Sequence, residues 1–295
     1  MLSRPHLSTV THLQFFPSSR VLLSSGADFS LTILPAEPIA PGSNGARISP
    51  VRTLRGHTRS VTSTAIIGPG RNILSSSLDS TVKLWDVSSS SIITSLNASS
   101  PVLSMSLGER TPVPPDGEEP ASLADGANAH ISDPREVAEA QSKIMFCGLQ
   151  DGTFEIFDLG SKSSAYRSSH PSAFGALTAV SYSQDHHLLA TGSAKGSVTL
   201  YDIRALATPL TSFERNDSQI EDLRFVNGES EVGLAIATAD GLPYVAGIVP
   251  EGPMVRAELV GTDCDPVKSI RVRTGERRME VWSAGNDAVV RRYLV

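Results

Sequence analysis

An all-β chain of small antiparallel sheets, repeated as the blades of a β-propeller, is what this sequence predicts. Three observations predict it. One stretch, Leu54 to Val87 (LRGHTRSVTSTAIIGPGRNILSSSLDSTVKLWDV), reads strand, turn, strand, turn, strand with the period-2 patterning of a β-meander. Its turn aspartate recurs along the chain at near-constant spacing. The composition, 40% hydrophobic with 23 glycines and 19 prolines in 295 residues, suits many short strands joined by turns. All-β closed folds reach this length as one unit, so residues 1–295 are read as a single propeller domain.

Within the template, Gly56-His57 precedes an alternating run from Val61, and a turn follows at Gly68-Pro69-Gly70. The run Ile73–Ser77, a turn carrying Asp79 and the run Thr81–Asp86 complete it. Gly-His together with Trp85-Asp86 matches the WD-repeat signature. Five more copies align on the turn aspartate. The six-residue offset from Asp79 to Trp85 also joins Asp28 to Leu34, Asp151 to Phe157 and Asp287 to Tyr293. In GSAKGSVTLYDIR, Lys195 holds the aspartate place and Tyr201 the aromatic one; in ATADGLPYVAGIV, Asp240 pairs with Ala246. The turn positions are spaced 51, 72, 44, 45 and 47 residues apart, so the one long interval holds an insertion. A blade is unstable alone and stacks on its neighbours. Inside a complete blade, His57, a strand serine (Ser75 or Ser77), Asp79 and Trp85 are expected to form one hydrogen-bonded chain. The network is assigned to His57, Ser77, Asp79 and Trp85. A buried carboxylate needs such partners, so His57 and Asp79 are read as structural and not as an acid–base pair.

The insertion, residues 109–142, is acidic and proline-rich and is expected to be a disordered loop, with a helical turn in its later part, DPREVAEAQSK. A shorter linker runs from about Pro35 to Ser49. Val295 ends the third strand of its repeat, and few residues precede the first inner strand at about Val10. The expectation is an N-terminally truncated, incompletely closed ring with six recognisable repeats.

No apolar run approaches membrane-spanning length, and MLSRPHLSTV lacks the pattern of a signal peptide. The two cysteines, Cys147 and Cys264, lie far apart with no ligand-spaced neighbour, which points to free thiols in a reducing compartment, cytoplasm or nucleus. Neither a Gly-x-Ser-x-Gly elbow nor a Gly-rich phosphate loop occurs. His186-His187 sits at a turn without further ligands, Ser88–Ser91 reads as a surface turn, and Arg291-Arg292 as a solvated strand edge. The chain is therefore expected to be non-catalytic, without cofactor or metal.

Charge is unevenly placed. The net charge is -6, but residues 213–265 hold eleven acids and three bases, while 266–295 hold three acids and seven bases. That argues against nucleic acid and favours a basic protein surface as partner. The connections RNDSQIED and GTDCDPV both enter an inner strand. The register places them at the end of the blade that carries Gly56-His57. Asp217, Glu221, Asp222, Asp263 and Asp265 are expected to cluster there on adjacent blades as a partner-binding platform.

THLQFFPSSRVLLSSGAD (Thr11–Asp28), GRNILSSSLDSTVKLWD (Gly70–Asp86), REVAEAQSKIM (Arg135–Met145), ELVGTDCDPV (Glu258–Val267) and DAVVRRY (Asp287–Tyr293) resemble the proteasomal ATPase-associated factor family. The resemblance runs in order along almost the whole chain. It implies a seven-bladed propeller after an N-terminal extension. It also implies a chaperone of 19S regulatory-particle base assembly that binds the basic C-terminal domain of an ATPase subunit, working as a monomer. A different class of binding function is also legible. LLATGSAKGSVTLYDIR (Leu188–Arg204) approaches, with Asp202-x-Arg204, the motif used by substrate receptors of cullin-type ubiquitin ligases, but Lys195 stands where an acid is expected.

Overall fold

The computed structural model describes residues 5–36, 49–110, 133–169, 173–227, 232–248, 252–262, 264–275 and 279–295. They form six antiparallel sheets, the blades of a β-propeller. The first blade holds β1 (Val10–Phe15), β2 (Val21–Gly26), β3 (Ser30–Pro35) and β4 (Arg52–Arg55). The second holds β5 (Val61–Ile67), β6 (Asn72–Ser77), β7 (Thr81–Asp86) and β8 (Ser91–Asn97). The third holds β9 (Val102–Glu109), β10 (Lys143–Leu149), β11 (Phe154–Asp158) and β12 (Ser163–Arg167). The fourth holds β13 (Leu177–Ser183), β14 (Leu188–Ser193), β15 (Ser197–Asp202) and β16 (Thr211–Glu214). The fifth holds β17 (Ile220–Asn227), β18 (Val232–Thr238), β19 (Tyr244–Ile248) and β20 (Met254–Glu258). The sixth holds β21 (Val267–Thr274), β22 (Met279–Gly285) and β23 (Val290–Leu294). Each sheet pairs its strands in chain order.

All six turn positions read from the sequence fall between the second and third strands of a blade. Local chemistry explains why aspartate recurs there. Its carboxylate accepts the N–H two residues on, from Ser30, Thr81, Thr153, Leu242 and Val289. The intervening residue takes a left-handed conformation in every copy, with φ from 59° to 88°. In the fourth blade, where Lys195 replaces the aspartate, the Ser193 hydroxyl accepts the equivalent N–H from Ser197 instead.

A second repeated device sits at the start of the inner strand. β1, β5, β13, β17 and β21 each carry a register shift after their first residue. The bulged residue reaches the next blade. Thr62 donates to the Val102 carbonyl at 2.9 Å, and Thr178 to the Ile220 carbonyl at 2.6 Å.

The chain divides into two compact units, Met1–Met145 with Glu155–Tyr166, and Phe146–Phe154 with Arg167–Val295. In the first, Leu23, Leu31, Ile33, Leu54, Val61, Ile73 and Trp85 form a core between the first two blades. In the second, one cluster joins the fourth and fifth blades through Val198, Leu223, Ile236 and Tyr244, and another joins the fifth and sixth through Val245, Val267, Ile270 and Val281. Strands within a blade are most buried at the centre: β6 is buried throughout, β8 mostly half-exposed.

Of the expected loop 109–142, residues 111–132 lie outside the described residues, as do 37–48 of the linker. Residues 133–142 correct the expectation of disorder, because the second and third blades hold them. Asn72 donates to the Arg135 carbonyl and accepts the Val137 N–H, and Arg71 donates to the Pro134 carbonyl. Glu136 is buried beside Lys162 at 2.9 Å, and a 3-10 helix spans Ala138–Ser142.

Candidate protein-interaction site

The second blade carries the hydrogen-bonded chain foreseen from its sequence, with one correction. Trp85 Nε1–H donates to Ser75 Oγ at 2.8 Å, Ser75 Oγ lies 2.7 Å from His57 Nε2, and His57 Nδ1 lies 2.9 Å from Asp79 Oδ2. The serine between ring and indole is Ser75, not Ser77. Ser77 stands two residues further, beside the turn, where it donates to the Arg59 carbonyl and accepts the Asp79 N–H. Burial works to raise the Asp79 carboxyl, but hydrogen bonds from Thr81, the Thr58 N–H and His57 outweigh it and hold it at about 2. Burial also outweighs Asp79 at His57 and pushes the imidazole below its usual value. The arrangement is then a neutral imidazole that donates from Nδ1 to a carboxylate and accepts the Ser75 hydroxyl at Nε2. Every member is satisfied by its neighbours, which makes this a strut and leaves no group poised for a substrate.

A second copy of the strut escaped the sequence reading. His6 Nδ1 lies 2.9 Å from Asp28, and its Nε2 lies 2.8 Å from Ser24. The signal was present: His6, Ser24, Asp28 and Ser30 precede His57, Ser75, Asp79 and Thr81 by the same 51 residues that separate the two aspartates. The missing Gly before His6 and Leu34 in the tryptophan place hid it.

The Thr58 N–H on Asp79 shows that the loop entering the inner strand and the turn between second and third strands share one end of a blade. In the fifth and sixth blades that end carries the predicted acids. Asn216 donates to Asp240 at 2.7 Å, joining the loop before β17 to the β18–β19 turn. Thr262 donates to the Gly241 carbonyl, and a side chain on Gly241 would meet the Cys264 backbone at 2.7 Å. Loops 215–219 and 259–266 therefore both lean on the turn at Asp240 and Gly241. Arg215 anchors the first loop, bonding Glu258 at 2.6 Å and lying over the Tyr244 ring at 5.0 Å. A cavity of about 400 Å³, lined by Phe174, Lys195, Glu214 and Asp217 among others, opens beside it.

The five predicted acids fare differently. Asp217 and Asp265 are exposed on these two loops, and Asp263 lies outside the described residues. Glu221 occupies the bulge position of β17 and pairs with Lys268, the bulged residue of β21, at 2.5 Å. Asp222 accepts from Arg271 at 2.6 Å and from the Ile270 N–H at 3.1 Å. Glu221 and Asp222 thus tie the sixth blade to the fifth, whereas Asp217 and Asp265 face solvent. Among the described residues no group of three or more His, Cys, Asp or Glu could hold a metal ion. No helix among them is long and apolar enough to cross a membrane.

A family model described as WD domain, G-beta repeat matches residues 48–86, the segment that carries the strut. The chain is a WD40-repeat β-propeller protein. Its fold is that of a protein-binding scaffold, and the strut assigns His57 and Asp79 to structure. A second model, Nucleolar protein 10-like, N-terminal domain, matches residues 125–245. Curated relatives are of several kinds. The chain is 27% identical to Ribosome biogenesis protein YTM1 of Podospora anserina over 80% of its length and 48% of the relative's. It is 26% identical to 26S proteasome regulatory subunit RPN14 of Saccharomyces cerevisiae over 97% of its length and 66% of the relative's. It is 28% identical to human Proteasomal ATPase-associated factor 1 over 57% of its length and 39% of the relative's. The chain spans about half the length of the curated relatives it matches.

Proposed function

We propose that this WD40 propeller is an assembly chaperone of the proteasome regulatory particle. It binds the basic C-terminal domain of an ATPase subunit through the loops bearing Asp217 and Asp265, acting as a monomer in the cytoplasm, the nucleus or both. The observation that carries the reading is the likeness to a 26S proteasome regulatory subunit along 97% of the chain. The relatives called Proteasomal ATPase-associated factor 1 support it over a shorter span. The chemistry of the site supports it as well. Exposed apolar residues on the same loops and turn, Leu242 and Val260, stand among the acids, so a surface with basic residues around an apolar centre fits both.

The test is affinity purification of the tagged chain from extract, followed by direct binding to the recovered partner. A proteasomal ATPase subunit is expected in the eluate. Asp217→Lys with Asp265→Lys is expected to weaken its binding about tenfold or more with the fold unchanged. Recovery of a ligase adaptor or of pre-ribosomal proteins without any proteasomal ATPase would overturn the proposal. The first would restore the ligase-receptor reading. That reading has less support, because Arg204 folds back on Asp202 in a two-point pair at 2.6 and 2.9 Å.

A further inference from the structure

In the fourth blade neither partner of the His–Asp pair is present. Ala173 precedes the first residue of β13 by four positions, as His57 precedes that of β5, and Lys195 holds the aspartate place. Where the second blade is closed by its strut, this end of the fourth blade is open. The cavity of about 400 Å³ lies there, with Ala173, Phe174, Lys195, Glu214, Arg215 and Asp217 in its lining. Its volume falls in the range of small-molecule sites, about 300–1,000 Å³.

The walls are held in place. Gly196, next to Lys195, lets the turn press on the loop before β17: a Cβ there would meet the Asn216 carbonyl oxygen at 2.0 Å. Asn216 is itself tied to Asp240 at 2.7 Å. Arg215 lies over the Tyr244 ring at 5.0 Å, and its Nη2 donates to Glu258 at 2.6 Å. The other nitrogen, Nη1, is buried and has no acceptor among the described residues. A buried donor in this condition favours any ligand that brings an oxygen to it. Lys195, Glu214 and Asp217 make no ion pair with one another or with other described residues. The lining therefore offers two cationic groups with unused N–H donors, two unpaired carboxylates and the apolar ring of Phe174. A ligand of one charge would meet its like on one side of the cavity. A ligand with both charges close together meets an opposite for each.

We propose that this cavity binds a free α-amino acid with an apolar side chain. The carboxylate is received by Arg215 Nη1 and Lys195, the ammonium by Glu214 and Asp217, and the side chain lies on Phe174. An α-amino acid carries its two charges on one carbon, so a cavity of this size holds both. The site is a small-molecule one and does not depend on the proteasomal reading, although Asp217 serves in both.

L-Leucine titrated into the full chain, with binding read by calorimetry and by saturation-transfer NMR, tests it. A Kd on the order of 1 mM or tighter is expected for so small a ligand. N-acetyl-leucine lacks the cation and leucinamide the anion, and each is expected to bind about tenfold more weakly or worse. Glycine, without an apolar side chain, is expected to bind more weakly than leucine. Lys195→Asp puts back the turn residue that five other blades carry, so the fold is expected to persist by circular dichroism while leucine binding is lost. Asp265→Lys lies outside the cavity lining and is expected to leave leucine binding unchanged, which separates this site from the partner surface. Absence of leucine binding, equal affinity for leucine and its two singly charged derivatives, or full binding by the folded Lys195→Asp chain would each overturn the proposal.

Discussion

Replacing Ser75 with alanine removes the one atom that touches both His57 and Trp85. The hydroxyl is fully buried, and its loss leaves the Trp85 N–H without an acceptor and His57 Nε2 without a donor. The Cβ stays, so little cavity is created and the cost is almost wholly polar. A buried polar group stranded in this way costs about 1–3 kcal/mol, so two together put the loss at roughly 2–6 kcal/mol. Ser77→Ala is the control. That hydroxyl serves the Arg59 carbonyl and the Asp79 N–H at the turn, closer to solvent, and its removal is expected to cost about 1 kcal/mol. Urea unfolding near neutral pH, followed by circular dichroism, measures both, with an unchanged m-value marking a pure stability effect. The reasoning is refuted if Ser75→Ala costs no more than Ser77→Ala, because the strut would then not run through Ser75.

Stability should also respond to acid. Asp28, Asp79 and Asp86 are each held at about 2 against an ordinary 3.8, so the stability they contribute is complete above 3.8 and lost as the pH falls toward 2. His57 is lowered from 6.5, so the unfolded chain takes up its proton first and a shallower loss begins below pH 6.5. The urea midpoint against pH is expected to show both phases, and Asp79→Asn to flatten the lower one; a midpoint constant down to pH 3 would contradict this. Gly196→Ala is expected to destabilise by about 2 kcal/mol or more, since φ is +88° and the new Cβ would meet the Asn216 carbonyl oxygen at 2.0 Å. It should weaken partner binding as well, because it displaces the Asp217 loop; wild-type stability would show that the loop yields freely. Asp222→Ala is expected to cost about 1–3 kcal/mol by leaving the Ile270 N–H without its acceptor and Arg271 with the Ile270 carbonyl in place of its carboxylate, whereas Asp217→Ala should leave the unfolding midpoint in place. Equal effects of the two substitutions would erase the distinction between inter-blade and solvent-facing acids.

The blades were legible in the chain because their signals are local. A turn aspartate that accepts the N–H two residues on, followed by a left-handed residue, is written in three or four consecutive positions, and five such turns recur in register with a sixth in which Lys195 takes the aspartate place. The period-2 pattern around them sets which residues face the core. The choice of Ser75 over Ser77 was not legible. Both serines lie on the same face of β6, and only the depth at which the His57 ring and the Trp85 indole meet decides between them. The fate of the acids was hidden for a like reason. Glu221 and Asp222 look like Asp217 in a charge count, but a one-residue bulge and the bases of β21, some 47 residues away, turn them into ties between blades. The chain alone determined that this is a WD-repeat propeller with His57 and Asp79 inside it. The packing of one blade on the next decided which of its charges remain free to meet a partner, because an ion pair depends on distances that strand register and blade stacking set and that sequence separation does not.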